Sequence, residues 1–386
     1  MPDNNYYLKV HNKISDIPAQ QWDVLVDKNH PFLQHAFLDA LEQHNCVSKR
    51  FGWIAHHLAI YDKNQLIAAM PLYEKHNNYG EFVFDQAWEN AWNHIGLPYY
   101  PKLVCGTPYS PVLGQRLLVN PEFDTEKTQQ IYQLLLNSAT EFCTQQNMSG
   151  AHILFANPSQ QAWLNQHQDS HTNIRHDCQF HWHNQNYKNF DDFLAQLKPK
   201  KRKNIRQERK AIQQSGVSFR VLSGEQTTEK DWQDFDFFYQ KTFIEKWSTP
   251  TLNLAFFKQI SQTMASNIVL VLADLADECI AGALMFKSDT HLYGRHWGAA
   301  KEVKYLHFET CFYQGIEYAI EHNLQVFEPG AGGEHKIARG FSPVAMQSTH
   351  WLRENPFKEG IERFINDEKF SVEQYMQDCA KHSPYK

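Results

Sequence analysis

The chain has 386 residues, of which 42% are hydrophobic, with 26 Phe, 17 Tyr and 10 Trp; this is enough apolar material for two ordinary domains and too much for a disordered protein. The formal charge is −6, and the seven cysteines are scattered with no CxxC pair, which argues against zinc knuckles and a disulfide framework. The opening MPDNNYYLKVHNK is polar and no apolar run reaches the roughly 18 residues of a membrane span, so a soluble, cytoplasmic protein is expected.

In chain order, residues 57–62 (HLAIYD) read as a strand. Residues 67–81 read as two more, the first beginning Ile-Ala and the second entered through Tyr79-Gly80. An aromatic segment, 82–111, follows. Residues 125–146 have helical periodicity through Ile131, Leu134, Leu135, Ala139 and Phe142, and 151–156 returns as a strand. The same order recurs later: a strand at 268–274, an Ile-Ala strand and a Tyr-Gly strand within 280–295, a helix at 306–322 and a strand at 324–328. Two βββαβ units predict an α+β protein divided near 183–190, as domains 1–185 and 186–386. The second domain lacks the aromatic insert.

The second domain opens with KPKKRKNIRQERKAIQQSG, residues 198–216. Residues 198–210 carry eight Lys or Arg against one acid, Glu208. Pro199 suits a first helical turn and Ser215-Gly216 a left-handed stop, so a helix is expected, anchored by Ile205 and Ile212 and otherwise presenting cations. Such a surface suits phosphate, although a solvated helix face has the same pattern. The 21 histidines include His181, His183, His291, His296, His307 and His335, but there is no HExxH, so no metal is expected.

The blocks HPFLQHAFLDALE (30–42), LYEKHNNYGEFVFDQAW (72–88), FDDFLAQLKPKKRKNIRQER (190–209), LYGRHWG (292–298), LHFETCFYQGIEYAI (306–320) and FEPGAGGEHKIARGF (327–341) resemble predicted N-acyltransferases of the GNAT superfamily. These are related to the Fem peptidoglycan aminoacyltransferases. The resemblance spans nearly the whole chain. It implies tandem GNAT-like (acyl-CoA N-acyltransferase-like) domains, each a mixed sheet flanked by helices. It also implies transfer of an acyl or aminoacyl group to a small-molecule or peptide amine, such as a cell-wall precursor. Aminoacyl-tRNA or acyl-CoA would be the donor, and Lys200, Arg202, Lys203, Arg206 and Arg209 would meet its phosphates. One departure is that residues 298–309, GAAKEVKYLHFE, lack the Gln/Arg-x-x-Gly-x-Gly/Ala turn with which acetyl-CoA users hold pyrophosphate. The rival reading is a non-catalytic module that recognises a peptidoglycan peptide or a nucleic acid.

Acyl transfer to an amine needs a proton acceptor and donors for the carbonyl oxygen. Glu328 and His335 are the candidates for base or amine anchor, and Lys336 and Arg339 for anion or oxyanion contacts, all around the glycines of 330–333. Glu309, beside His307, is a second catalytic carboxylate candidate. Strict alternation puts Tyr293, Arg295 and Trp297 on one face of their strand, as a substrate clamp or a stacked core-edge cation, and His296 on the other.

Overall fold

The structure, a computed structural model, describes residues 6–386. Its contacts divide the chain into two units. The first runs to Asp177 and includes Ala345–Glu373; the second comprises Cys178–Val344 and Gln374–Lys386. The expected single break at 185/186 therefore lies a few residues late and omits an exchange of segments. The reason is local pairing: Ser348–Leu352 lie antiparallel to Gly150–Leu154 and extend the sheet of the first unit.

In the first unit, β1 (Tyr6–His11), β2 (Trp53–Ala55), β3 (His57–Asp62), β4 (Gln65–Met70), β5 (Leu72–Lys75), β6 (Lys102–Cys105), β7 (Leu118–Val119) and β8 (Gly150–Leu154) form two sheets. β1, β3, β4 and β7 make one, and β8, β6, β5 and β2 pair in that order in the other. Pro71 cannot donate to a ladder, and there the chain leaves the first sheet for the second. The expected Tyr79-Gly80 strand is absent: Gly80 has φ +81° in a turn, and β5 pairs with β2 and β6 instead. The helix Thr125–Gln145 is N-capped by Asp124 and buries Ile131, Leu135, Ala139 and Cys143, one full stripe. It carries the chain over to β8, which lies parallel to β6.

The second unit repeats this crossover. After β9 (Thr172–His183), a short helix Phe190–Gln196 and the basic helix Pro199–Gln214 come β10 (Ser218–Leu222), helices Glu229–Glu245 and Leu254–Thr263, and the strands β11 (Ile268–Leu275), β12 (Glu278–Lys287) and β13 (His291–Ala299). A bulged helix, in pieces Leu306–Phe308, Glu309–Tyr313 and Gln314–Glu321, leads to β14 (Val326–Glu328), parallel to β13. The pairing order is β10-β11-β12-β13-β14-β9. β15 (Ser342–Leu352) and the helix Lys358–Lys381 close the chain. The internal echo is thus real in the helical crossover, which each unit needs to set two strands parallel, and fails in the hairpin before it.

Several histidines are buried without charge. Burial first, then neighbouring cationic groups, pulls His181 and His296 down to about 3. In the unfolded chain each titrates near 6.5, so its contribution to stability is complete above that pH and is lost as pH falls. At pH 5 each costs about 2 kcal/mol. Urea unfolding at pH 7 and pH 5 is expected to show this loss, with His296→Phe recovering one share of it. An unchanged difference in that variant would contradict the assignment.

Candidate active site

The site begins with a defect in β13. Met285 lies opposite Gly294 but Leu284 lies opposite His296, so Arg295 is the extra residue of a β-bulge. The slip reverses the expected alternation. His296 joins Tyr293 on the face of Leu284 and Phe286, against Tyr239 of helix Glu229–Glu245, while Trp297 turns to the opposite face and meets His307 edge-on at 5.3 Å. Tyr293, Arg295 and Trp297 do not form a common clamp. Gly298 has a packing role: a Cβ there would lie 2.2 Å from the Phe238 carbonyl oxygen.

β14 pairs with β13 only over His291–Tyr293 and ends at Glu328, so the later part of β13 has no β14 residues beside it. Ligands favour such carboxyl ends of parallel strands. From Glu328 the chain turns through Gly330, Gly332 and Gly333, with φ of +94°, +68° and +94°, into a short 3-10 helix Glu334–Arg339. Positive φ at three positions within four residues is tolerated because they are glycines.

This turn brings the candidates together. The buried Arg295 donates from Nη1 to the Gly294 carbonyl at 2.7 Å, and its Nη2 lies 3.9 Å from Glu328 Oε2, also buried. Burial pushes the guanidinium down to about 10. Lys336 folds back so that Nζ donates to the Gly330 carbonyl at 2.7 Å, and burial, with Arg295 nearby, lowers it to about 8. The adjacent His335 faces outward and packs against His307, Phe308 and Phe312 with ring centroids 6.1, 5.8 and 5.6 Å away. Partial burial, then Lys336 and Arg339, holds its pKa below the usual histidine value. His307 is lowered further, to about 4, by burial and by His335. Two neutral imidazoles beside two cations can accept a proton at neutral pH.

The remaining candidates brace this cluster. Arg339 lies over the Phe308 ring, 3.4 Å from its centroid, and donates from Nη2 to both oxygens of Glu208 at 2.9 and 3.0 Å; Tyr313 donates its hydroxyl to the same carboxylate. Glu309, expected as a catalytic carboxylate, is buried and receives Arg209 through Nε and Nη2 at 3.1 and 3.0 Å. Arg209 also donates to Glu317 at 2.7 Å and covers Phe190. This pair is a strut that holds the basic helix against the π-turn. Glu309 opens a π-turn, Glu309–Tyr313, a type of insertion found at functional sites.

On the basic helix, Lys200, Lys203, Arg206 and Lys210 are exposed and Arg202 is half-buried. The ion pair of Arg206 with Asp191, 2.8 Å, is solvent-exposed and therefore weak. The sequence missed the bracing role of Glu208, although its isolation among eight cations was the available signal. It also missed the π-turn, for which no local pattern exists. Among the described residues no group of three or more His, Cys, Asp or Glu could hold a metal ion, and no helix is long and apolar enough to cross a membrane.

The fold class is α+β, with mixed sheets flanked by helices, as expected. A sequence model of the FemAB-like family, described as peptidoglycan biosynthesis/recognition, matches residues 13–386, so the chain belongs to that family. A search of curated proteins by sequence finds no match. Among solved structures, FemX is similar with a TM-score of 0.54 at 13% identity, over 90% of this chain and 98% of its own. The C-terminal domain of a putative lysylphosphatidylglycerol synthetase from Agrobacterium fabrum also gives 0.54, at 7% identity over 90% and 95%. L-PGS from Bacillus licheniformis gives 0.50, at 9% identity over 88% and 98%. At these identities the likeness is one of fold.

Proposed function

We propose that the protein is an N-acyltransferase that moves an acyl or aminoacyl group to an amine of a cell-wall precursor, with its reactive centre in the second unit. The observation that carries this reading is the neutral His335 and His307 pair set beside Lys336 and Arg295, at the open end of β13 and β14. His335 takes the proton of the attacking amine. Lys336, or the bulged backbone at Arg295, stabilises the oxygen of the tetrahedral intermediate. Glu328 holds Arg295 in place. Membership of a peptidoglycan biosynthesis/recognition family supports the acceptor class, and the proton-accepting cluster favours transfer over recognition alone.

Either donor, aminoacyl-tRNA or acyl-CoA, bears phosphate, and the basic helix supplies the contacts through Lys200, Arg202, Lys203 and Arg206. The test incubates the protein with acetyl-CoA, longer acyl-CoAs and charged tRNAs against a panel of peptidoglycan precursor peptides. Transfer to an amine supports the reading. Binding of a precursor without turnover from any donor would leave a recognition module instead. If tRNA is the donor, its affinity falls steeply with salt, and Lys203→Ala or Arg206→Ala each lowers the log–log slope by about 1. A slope unmoved by both variants would remove the basic helix from the donor site.

A further inference from the structure

The aromatic insert that distinguishes the first unit builds a second site. Residues 79–100 lie over one face of the β15-β8-β6-β5-β2 strands, where Tyr73, Val104, His152 and His350 stand side by side across β5, β6, β8 and β15. From the insert, Glu81 and Asp85 both accept from the buried Lys102, and Tyr99 donates to Asp85 at 2.6 Å. From the sheet, Ser348, His350 and His152 form a chain, 2.7 Å from Ser348 Oγ to His350 Nε2 and 2.5 Å between the two Nδ1 atoms. Arg175 is gripped by Glu368 through Nε and Nη2 and stacks 5.2 Å from the Trp88 ring, which meets His350 at 5.3 Å.

Six of the groups in this cluster carry a buried polar atom with no partner. On the insert these atoms are Glu81 Oε1, Asp85 Oδ1, Trp88 Nε1 and the Tyr100 hydroxyl; on the sheet they are His152 Nε2 and Arg175 Nη1. Glu81, Asp85, Trp88, His152 and Arg175 are each more than nine-tenths buried. Leaving that many polar atoms unpaired in one contact-linked cluster is costly, and such clusters are satisfied by ordered water, ions or a bound ligand. The set is also sorted. Acceptors of Glu81 and Asp85 stand beside Tyr100, and donors of Arg175 and Trp88 stand beside His152.

We propose that this seam binds a free amino acid. Its ammonium group sits on Glu81 Oε1 and Asp85 Oδ1 next to the Tyr100 hydroxyl. Its carboxylate takes the N–H groups of Arg175 Nη1 and Trp88 Nε1 and, in the tautomer where Ser348 donates to His350 and His350 to His152, the N–H of His152 Nε2. A polyanion would be repelled by the two carboxylates. The site belongs to the first unit and does not depend on the acyl-transfer reading.

The test uses the full chain in thermal-shift and calorimetric titrations with L- and D-amino acids, each beside its amide and its N-acetyl form. At least one free amino acid is expected to raise the melting temperature and bind, with both blocked forms failing. Tyr100→Phe removes one unpaired atom and keeps the ring, so it is expected to leave the ligand-free protein as stable as the parent, or more so, and to weaken binding roughly tenfold. Trp88→Phe removes another unpaired atom but shrinks a buried indole to a phenyl, so it is read by affinity alone, with a similar loss expected. The proposal fails if no amino acid binds, if the blocked forms bind equally well, or if both variants retain the parent affinity. A destabilised ligand-free Tyr100→Phe, with no amino acid shift, would assign that atom to ordered water and overturn it as well.

Discussion

His335→Gln is expected to lose roughly 10²- to 10⁴-fold in kcat/KM for acyl transfer while keeping its fold, because it removes a proton acceptor from an exposed position. The pH dependence gives an independent readout. His335 is useful only when neutral, and its pKa lies below the usual histidine value, so activity rises with pH and levels off before neutrality. Lys336 is useful as an oxyanion donor only when protonated, and burial has brought it down to about 8, so activity declines again near that pH. The parent profile is a bell, and His335→Gln is expected to lose its acid limb and keep the alkaline one. Lys336→Arg, which stays protonated, moves the alkaline limb upward. If His335→Gln retains full activity and His307→Gln loses it, the base is the more deeply buried histidine. A profile flat through both variants would exclude imidazole catalysis at this site.

The sequence made the crossover and the Gly-rich turn legible, for different reasons. Periodicity at 3.6 residues in Thr125–Gln145 and in Leu306–Glu321 follows from burying one helical face, and this is visible in any window of the chain. The glycines of 330–333 marked a turn, and there they adopt positive φ, which glycine tolerates. What stayed hidden depended on partners far away in the chain. The bulge at Arg295 has no signature in LYGRHWG, yet it reverses the direction of every side chain after it and sends Trp297 to the side of His307. The engagement of Arg209 was equally invisible, since its carboxylates come from residues 309 and 317 and a basic run looks uniformly solvated. Ser348–Leu352 could be placed in the first unit only by their pairing with β8.

Arg209→Ala is expected to destabilise the protein by about 3 kcal/mol, measured as the change in urea unfolding free energy, although the residue sits in what reads as a surface run of cations. The argument rests on what is left behind. The side chain of Glu309 is only 4% exposed, and Arg209 supplies both charge and two donors to it. Removing the arginine strands a buried carboxylate, whereas Lys203→Ala and Arg206→Ala remove exposed charges and are expected to fall within about 0.5 kcal/mol of the parent. Arg209→Lys keeps the charge but not the planar fork, so it is expected to recover only part of the loss. The consequence extends to the site, because Glu309 opens the π-turn that follows directly on His307 and Phe308. Loosening this strut lets those rings move against His335, so kcat falls with little change in KM, while the salt dependence of donor binding stays that of the parent. A stable Arg209→Ala protein with weakened polyanion binding would reverse the assignment and return Arg209 to the phosphate surface.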